Sequence, residues 1–319
     1  MTSSYFETVE FSTLSFHILT IIEVPIQAFA FYVIIAKTPV KMRSVKWPMF
    51  NLHVWSALLD ISFTLLTMPY LLFPAVAGFG FGLFAWFGMG VEYQCAFLMV
   101  FFGMTVESTI VLFESRYTII TNSSTFAKRS RRVLIGLGYL ISVVFPTPFL
   151  YLVPEQNSAV KMLLTRLPTI RCSYPGPIFV LTLDATILGT LTAVKLGIEF
   201  LIIILLVSLT SYHIFLQSKR STMSPSTIAL QKKFLIALMI QTFIPVAVIS
   251  LPAVYVANAT FLGYYNQANN IFGLCVSCHG LISTIAMLMI HEPYRNATLP
   301  CLKKEKKLKK PLLLVFSLQ

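Results

Sequence analysis

Seven stretches of this chain are each long and apolar enough to cross a lipid bilayer as a helix, and that restricts its fold more than any other feature. A spanning helix needs about 20 mostly apolar residues. The stretches run Leu14–Ala36, Met49–Phe73, Tyr93–Phe113, Val133–Val153, Leu191–Phe215, Phe234–Ala257 and Ile271–Ile290. Inside hydrocarbon every backbone N–H and C=O must find a partner within the protein, which points to an all-α bundle of seven transmembrane helices. Composition agrees. Apolar residues make up 56% of the 319 residues and charged ones only 11%, against about 25% charged in a soluble domain. A water-soluble enzyme and a disordered chain are both excluded by those figures.

Two apolar segments need separate treatment. Ala75–Gly90 contains Gly78, Gly80, Gly82, Gly88 and Gly90, too much glycine for a helix. It reads as a loop at the membrane surface, with Phe79, Phe81, Phe84, Trp86 and Phe87 dipping into the interface. The first span is no signal peptide, because its apolar core is too long and neither a preceding basic residue nor a small-residue cleavage site accompanies it.

Charge gives the orientation. Of the 24 Lys and Arg residues, all but Lys161, Arg166, Arg171 and Lys195 lie after spans one, three, five and seven, on one side of the membrane. The positive-inside rule then places the N-terminus outside and the tail in the cytoplasm. The net charge of +12 is a topology signal, and nucleic-acid binding has no support. Residues 1–295 form the membrane domain and 296–319 a basic tail. In that tail Cys301, ahead of Lys303–Lys310, is either a palmitoyl anchor beside a lipid-facing basic run or an unmodified Cys in a solvated segment. Asn258-Ala-Thr260 is a glycosylation sequon in the last outer loop, whereas Asn122 and Asn296 fall on the inner side and stay bare.

Ionisable residues at membrane depth are costly and mark function by default. They are Glu23, Asp60, Glu107, Lys195 and Glu199, with His17, His53 and His279. Lys195 and Glu199 are four apart on one helix face and neutralise each other. Asp60 either carries a functional role or hydrogen-bonds a neighbour such as Asn51 or His279, and Glu107 is expected to share its network. Cys275-Val-Ser-Cys278-His279 matches the c-type haem attachment pattern. Buried in an apolar span, these thiols read as packing residues, and neither a cofactor nor a metal is expected.

Local motifs then narrow the class. Span three ends in Glu114-Ser-Arg116-Tyr117, which resembles the Asp-Arg-Tyr signature of G-protein-coupled receptors. Span seven ends in Pro293-Tyr294-Arg295, similar to the ending of nematode serpentine chemoreceptors. Span two reads Asn51-Leu-His53-Val-Trp55, continuing to Asp60 and then Met68-Pro69-Tyr70. Together these resemble the class H serpentine receptors (Srh) of the Str superfamily, over nearly the whole chain.

The resemblance implies a chemosensory receptor at the plasma membrane, in a sensory-neuron cilium. Its partners would be a small external ligand, membrane lipids and a heterotrimeric G protein that engages Glu114, Arg116, Tyr117 and Pro293–Arg295. Arg116 is either the switch that contacts the G protein or an anchor at the headgroups. Glu114 lies two residues from it, on another helix face, so an intrahelical lock is not expected. In rhodopsin-like receptors an acid placed like Asp60 binds sodium. A Cys95–Cys172 disulfide pinning the long outer loop is also implied. The ligand pocket is expected among the outer halves of spans three, five, six and seven, lined mostly by apolar residues. A ligand-gated channel or transporter is the alternative, although the internal repeats of a transporter are not apparent. An enzyme is not expected, since the five His residues are scattered.

Overall fold

The structure, a computed structural model, describes all residues except 1–4, 6–7, 73–74, 122–123, 167–176, 221–223, 263–269 and 300–319. Among the described residues, seven helices are long and apolar enough to cross a membrane. They are α1 (Val9–Lys37), α2 (Arg43–Ile61, continuing as a wider turn over Ser62–Thr67), α3 (Val91–Thr121), α4 (Thr125–Val144), α5 (Ala185–Lys219), α6 (Pro225–Leu262) and α7 (Asn270–Ser277 and His279–Ile290). A short α8, Glu292–Thr298, follows, with Pro293 in its first turn, where a missing N–H costs nothing. Most helices overrun the apolar stretches that announce them. Local chemistry sets the true starts. Thr8 Oγ1 accepts from Phe11 N at 3.2 Å, Ser124 Oγ from Ala127 N at 3.3 Å, and Asp184 Oδ1 from Thr186 N at 2.8 Å, each satisfying an orphan N–H of a first turn.

The main core lies toward the end of the bundle where the basic residues gather. There Val33, Ile34, Val45, Met49, Leu112, Phe113, Leu238, Met287 and Tyr294 are packed out of reach of solvent. By contrast α4 and α5 turn long apolar faces outward through Leu134, Leu137, Ile141, Leu201 and Leu205. On a spanning helix such faces meet lipid.

At the opposite end the expectation of a surface loop over Ala75–Gly90 is corrected. This segment contributes a strand to a three-stranded antiparallel sheet in the order β1 (Pro69–Leu71), β2 (Val76–Gly80), β3 (Phe179–Thr182). Tyr70 faces Phe79 across β1 and β2, with the rings stacked 4.9 Å apart. Phe79 is therefore buried, while Trp86 and Phe87, at the end of a short helix (Leu83–Trp86), are 78% and 73% exposed. Gly78 is required, because any Cβ there would overlap the Tyr70 carbonyl oxygen. Entry into the sheet follows from the end of α2. Thr67 Oγ1 donates to Ser62 O at 2.6 Å, and Met68 adopts φ +43°, a left-handed conformation that stops the helix.

The long loop before α5 is also ordered where described. Its helix, Gln156–Arg166, packs Ala159 and Leu163 against Val180. The Gln156 amide donates to Val180 O at 3.0 Å and accepts from Val180 N at 2.9 Å, imitating a further strand.

Candidate functional site

Small and hydroxylic residues leave a central cavity of about 470 Å³ between α2, α3, α5, α6 and α7. Ser56, Thr105, Gly197, Ser250 and Ser283 supply the space, and Leu52, Leu59, Phe102, Phe200 and Ile249 supply most of the surface. Among the described residues no Asp, Glu, Lys or Arg lines it. The four helices expected from sequence, α3, α5, α6 and α7, all line it, near their middles, and α2 adds a further wall from Met49 to Leu59.

Beneath one wall lies a buried polar network around Asp60. Its Oδ2 accepts from Gln27 Nε2 at 2.8 Å, and its carboxylate lies against Gly280 of α7. The reason is a break in α7. The helix stops at Ser277 and restarts at His279, so the free N–H groups of the second segment face a carboxylate from α2, the charge that a helix start favours. Gly280 has no side chain to spare, since a Cβ would overlap Asp60. His279 Nδ1 bonds Val276 O at 2.8 Å and stands 3.3 Å from Asp60 Oδ1. Thr284 Oγ1 donates to Gln27 Oε1 at 3.2 Å, and His53 Nε2 meets Gln27 O at the same distance. Glu23 joins through Thr64 Oγ1 at 3.3 Å.

Of the two partners anticipated for Asp60, His279 is beside it. Asn51 turns away and donates to Ser108 Oγ at 3.0 Å and Tyr139 OH at 2.6 Å. Gln27, Thr64 and Thr284 were not singled out in the sequence, because uncharged polar residues in a span carry no signal of their own.

Glu107 does not belong to this network, contrary to the grouping made from sequence. It packs against α4, where a Cβ on Gly138 would overlap its carboxylate, and it feels the charges of Lys195 and Glu199. Lys195 and Glu199 form the expected i,i+4 ion pair. The result is a second buried cluster of two acids and one base between α3, α4 and α5.

At the basic end Arg116 is 5% exposed. Its guanidinium lies over the Phe234 ring of α6 at 3.3 Å, and its charge acts on Tyr294 and His291. Phe234 in turn stands 5.1 Å from the His291 ring, whose Nε2 meets Gln241 Oε1 at 3.3 Å. Tyr294 is fully buried, its hydroxyl 2.9 Å from Thr38 Oγ1. Arg295 donates to Met289 O at 3.2 Å. Glu114 points elsewhere. It pairs with Arg131 of α4 at 2.8 Å, and Arg131 Nη2 also donates to Thr118 at 3.1 Å. Tyr117 lies between, its ring 5.3 Å from the Arg131 guanidinium. Phe234 and His291 carry no motif, and only the fold brings them to Arg116.

Cys95 is a free thiol, one turn inside α3 and facing β2 across a small cleft. The bridge to Cys172 implied by the resemblance involves a residue outside the described ones, as does the anchor considered at Cys301. Asn258 is exposed on the last turns of α6, with its amide donating to Val254 O at 2.8 Å. It stands on helix rather than in the loop expected, because α6 runs on past the apolar stretch.

The seven spanning helices agree with two comparisons. The model of the family described as "Serpentine type 7TM GPCR chemoreceptor Srh" matches residues 7–304. Serpentine receptor class H-72 of Caenorhabditis elegans is 25% identical over 288 residues, covering 87% of this chain and 81% of its own length. The chain is thus a multi-pass membrane protein of a receptor family, not an enzyme family, and it belongs to the Srh family of serpentine seven-transmembrane chemoreceptors.

Proposed function

We propose that this chemoreceptor works in the plasma membrane of a sensory cell, its N-terminus outside. It binds a small uncharged ligand in the central cavity and activates a heterotrimeric G protein at its basic, cytoplasmic end. The observation that carries this reading is Arg116, a permanently charged side chain buried under Phe234 at the basic end. A buried cation with an unpartnered Nε is held at a cost, which suits a group stored in one state for use in another. Ligand binding favours a state in which α6 carries Phe234 away, so that Arg116, Tyr117 and the Pro293–Arg295 turn meet the partner. The gain is a population shift, and the ligand supplies it only by binding the open state more tightly.

The test is Arg116→Ala in cells that report G-protein activation. Coupling is expected to vanish while an epitope at the N-terminus is still stained on intact cells. Signalling retained at the normal level ends this role for Arg116. An N-terminal epitope seen only after permeabilisation reverses the topology and ends the G-protein mechanism.

A further inference from the structure

His279 has an edge that the protein leaves unused. The residue is 2% exposed and lines the central cavity. Its Nδ1 faces two oxygens: Val276 O at 2.8 Å and Asp60 Oδ1 at 3.3 Å. Both are acceptors, so the ring proton belongs on Nδ1. In the neutral imidazole the other nitrogen is then a lone-pair acceptor. That atom, Nε2, is buried and has no hydrogen-bond partner. A buried acceptor without a donor is costly, and the residue that carries it is part of the cavity wall.

We infer that the cavity takes an uncharged, largely apolar molecule bearing a hydroxyl group, whose O–H donates to His279 Nε2. The lining excludes a charged ligand, because no formal charge faces the space and a desolvated ion there has nothing to pair with. The volume fits a small organic molecule. An ether or ester of the same shape offers only acceptors and leaves Nε2 unpaired, so the site selects donors. Discrimination of this kind is strong because the penalty falls on a buried polar atom. The contact also ties the ligand to the break in α7, since the same ring touches Asp60 and Val276 through its opposite edge.

This inference rests on the receptor reading only in seating the ligand in the cavity. It is tested by binding, without a G protein, so failure of coupling and failure of ligand class are separable. The purified full chain in lipid nanodiscs is titrated with primary alcohols from hexanol to dodecanol and with phenylethanol. Each alcohol is compared with its methyl ether, and octanoate serves as the charged control. At least one alcohol is expected to raise the melting temperature with an affinity about tenfold above that of its ether, and octanoate is expected to have no effect.

Two variants locate the effect. His279→Asn places an amide nitrogen near the Nδ1 position, keeping the donor toward Val276 and Asp60 while removing Nε2. The alcohol-to-ether ratio should fall to about one, with the weaker apolar binding retained. Gly197→Phe fills the cavity from a position where a Cβ meets no atom within 4 Å, and should abolish binding of alcohol and ether alike. The proposal is overturned if no alcohol binds, if ethers bind as well as alcohols, or if the preference survives in His279→Asn. Binding that survives in Gly197→Phe overturns it too, because the site is then the surrounding lipid.

Discussion

The guanidinium of Arg116 lies over the ring of Phe234, 3.3 Å from its centroid, so one aromatic side chain of α6 covers the cation that α3 carries at the basic end. A desolvated cation–π contact contributes about 1–2 kcal/mol. Phe234→Ala removes it from the closed state alone, so ligand-independent signalling should rise roughly five- to thirtyfold. Basal G-protein activation in cells, normalised to surface receptor, measures this. An unchanged basal level means that Phe234 does not hold the closed state.

Glu114 and Arg131 form the ion pair that joins α3 to α4, with side chains 16% and 21% exposed. Glu114→Gln and Arg131→Gln should each cost no more than about 1 kcal/mol, and the double change should cost little more than either alone. The same cycle run with Glu114 and Arg116 should be additive. Coupling between Glu114 and Arg116 instead of Arg131 contradicts the arrangement.

Asp60 and Gly280 occupy each other's space. Gly280→Ala should abolish surface delivery, because the new methyl overlaps the carboxylate. Asp60→Asn keeps an acceptor for Gln27 and should be delivered. Asp60→Ala strands the Gln27 donor, at about 1–3 kcal/mol. Combining Asp60→Ala with Gly280→Ala should restore part of what Gly280→Ala loses, as surface staining would record. A double variant no better delivered than Gly280→Ala argues against the steric account.

Glu155 caps the loop helix Gln156–Arg166. Hydrogen bonds from the Ser158 side chain and backbone and from the Asn157 N–H hold its carboxyl below the ordinary value of 4.5. A depressed carboxyl stabilises the folded loop fully above the ordinary value, and the contribution is lost as pH falls through the lower folded one. Hydrogen-exchange protection of residues 156–166 should therefore decline in acid, and Glu155→Gln should flatten that dependence. Equal pH profiles for the two proteins speak against the cap.

Much of this architecture is legible in the sequence, because the cost of burying an unpaired peptide group writes each spanning helix as a local apolar run. The Lys195–Glu199 pair is equally local. What depends on distant residues is not. The sheet is hidden because β3 lies about a hundred residues after β2, and glycine-rich strands have no pattern until their partner is known. The partner of Glu114 sits on the next helix, and Phe234 looks like any phenylalanine of a spanning segment. The break in α7 leaves no proline to announce it. Its cause is a carboxylate on α2, visible only once the helices are packed.

The small sheet also has a mechanical meaning. It joins the chain leaving α2, the chain entering α3 and the chain entering α5 by backbone hydrogen bonds, while no comparable crosslink ties the helices at the basic end among the described residues. A bundle of stiff rods clamped at one end behaves as a set of cantilevers, in which a small rotation near the clamp becomes a larger displacement at the free tips. Under the proposed function, such an arrangement would gear the molecule in one direction, turning a sub-ångström adjustment around a small solute into travel at the far face.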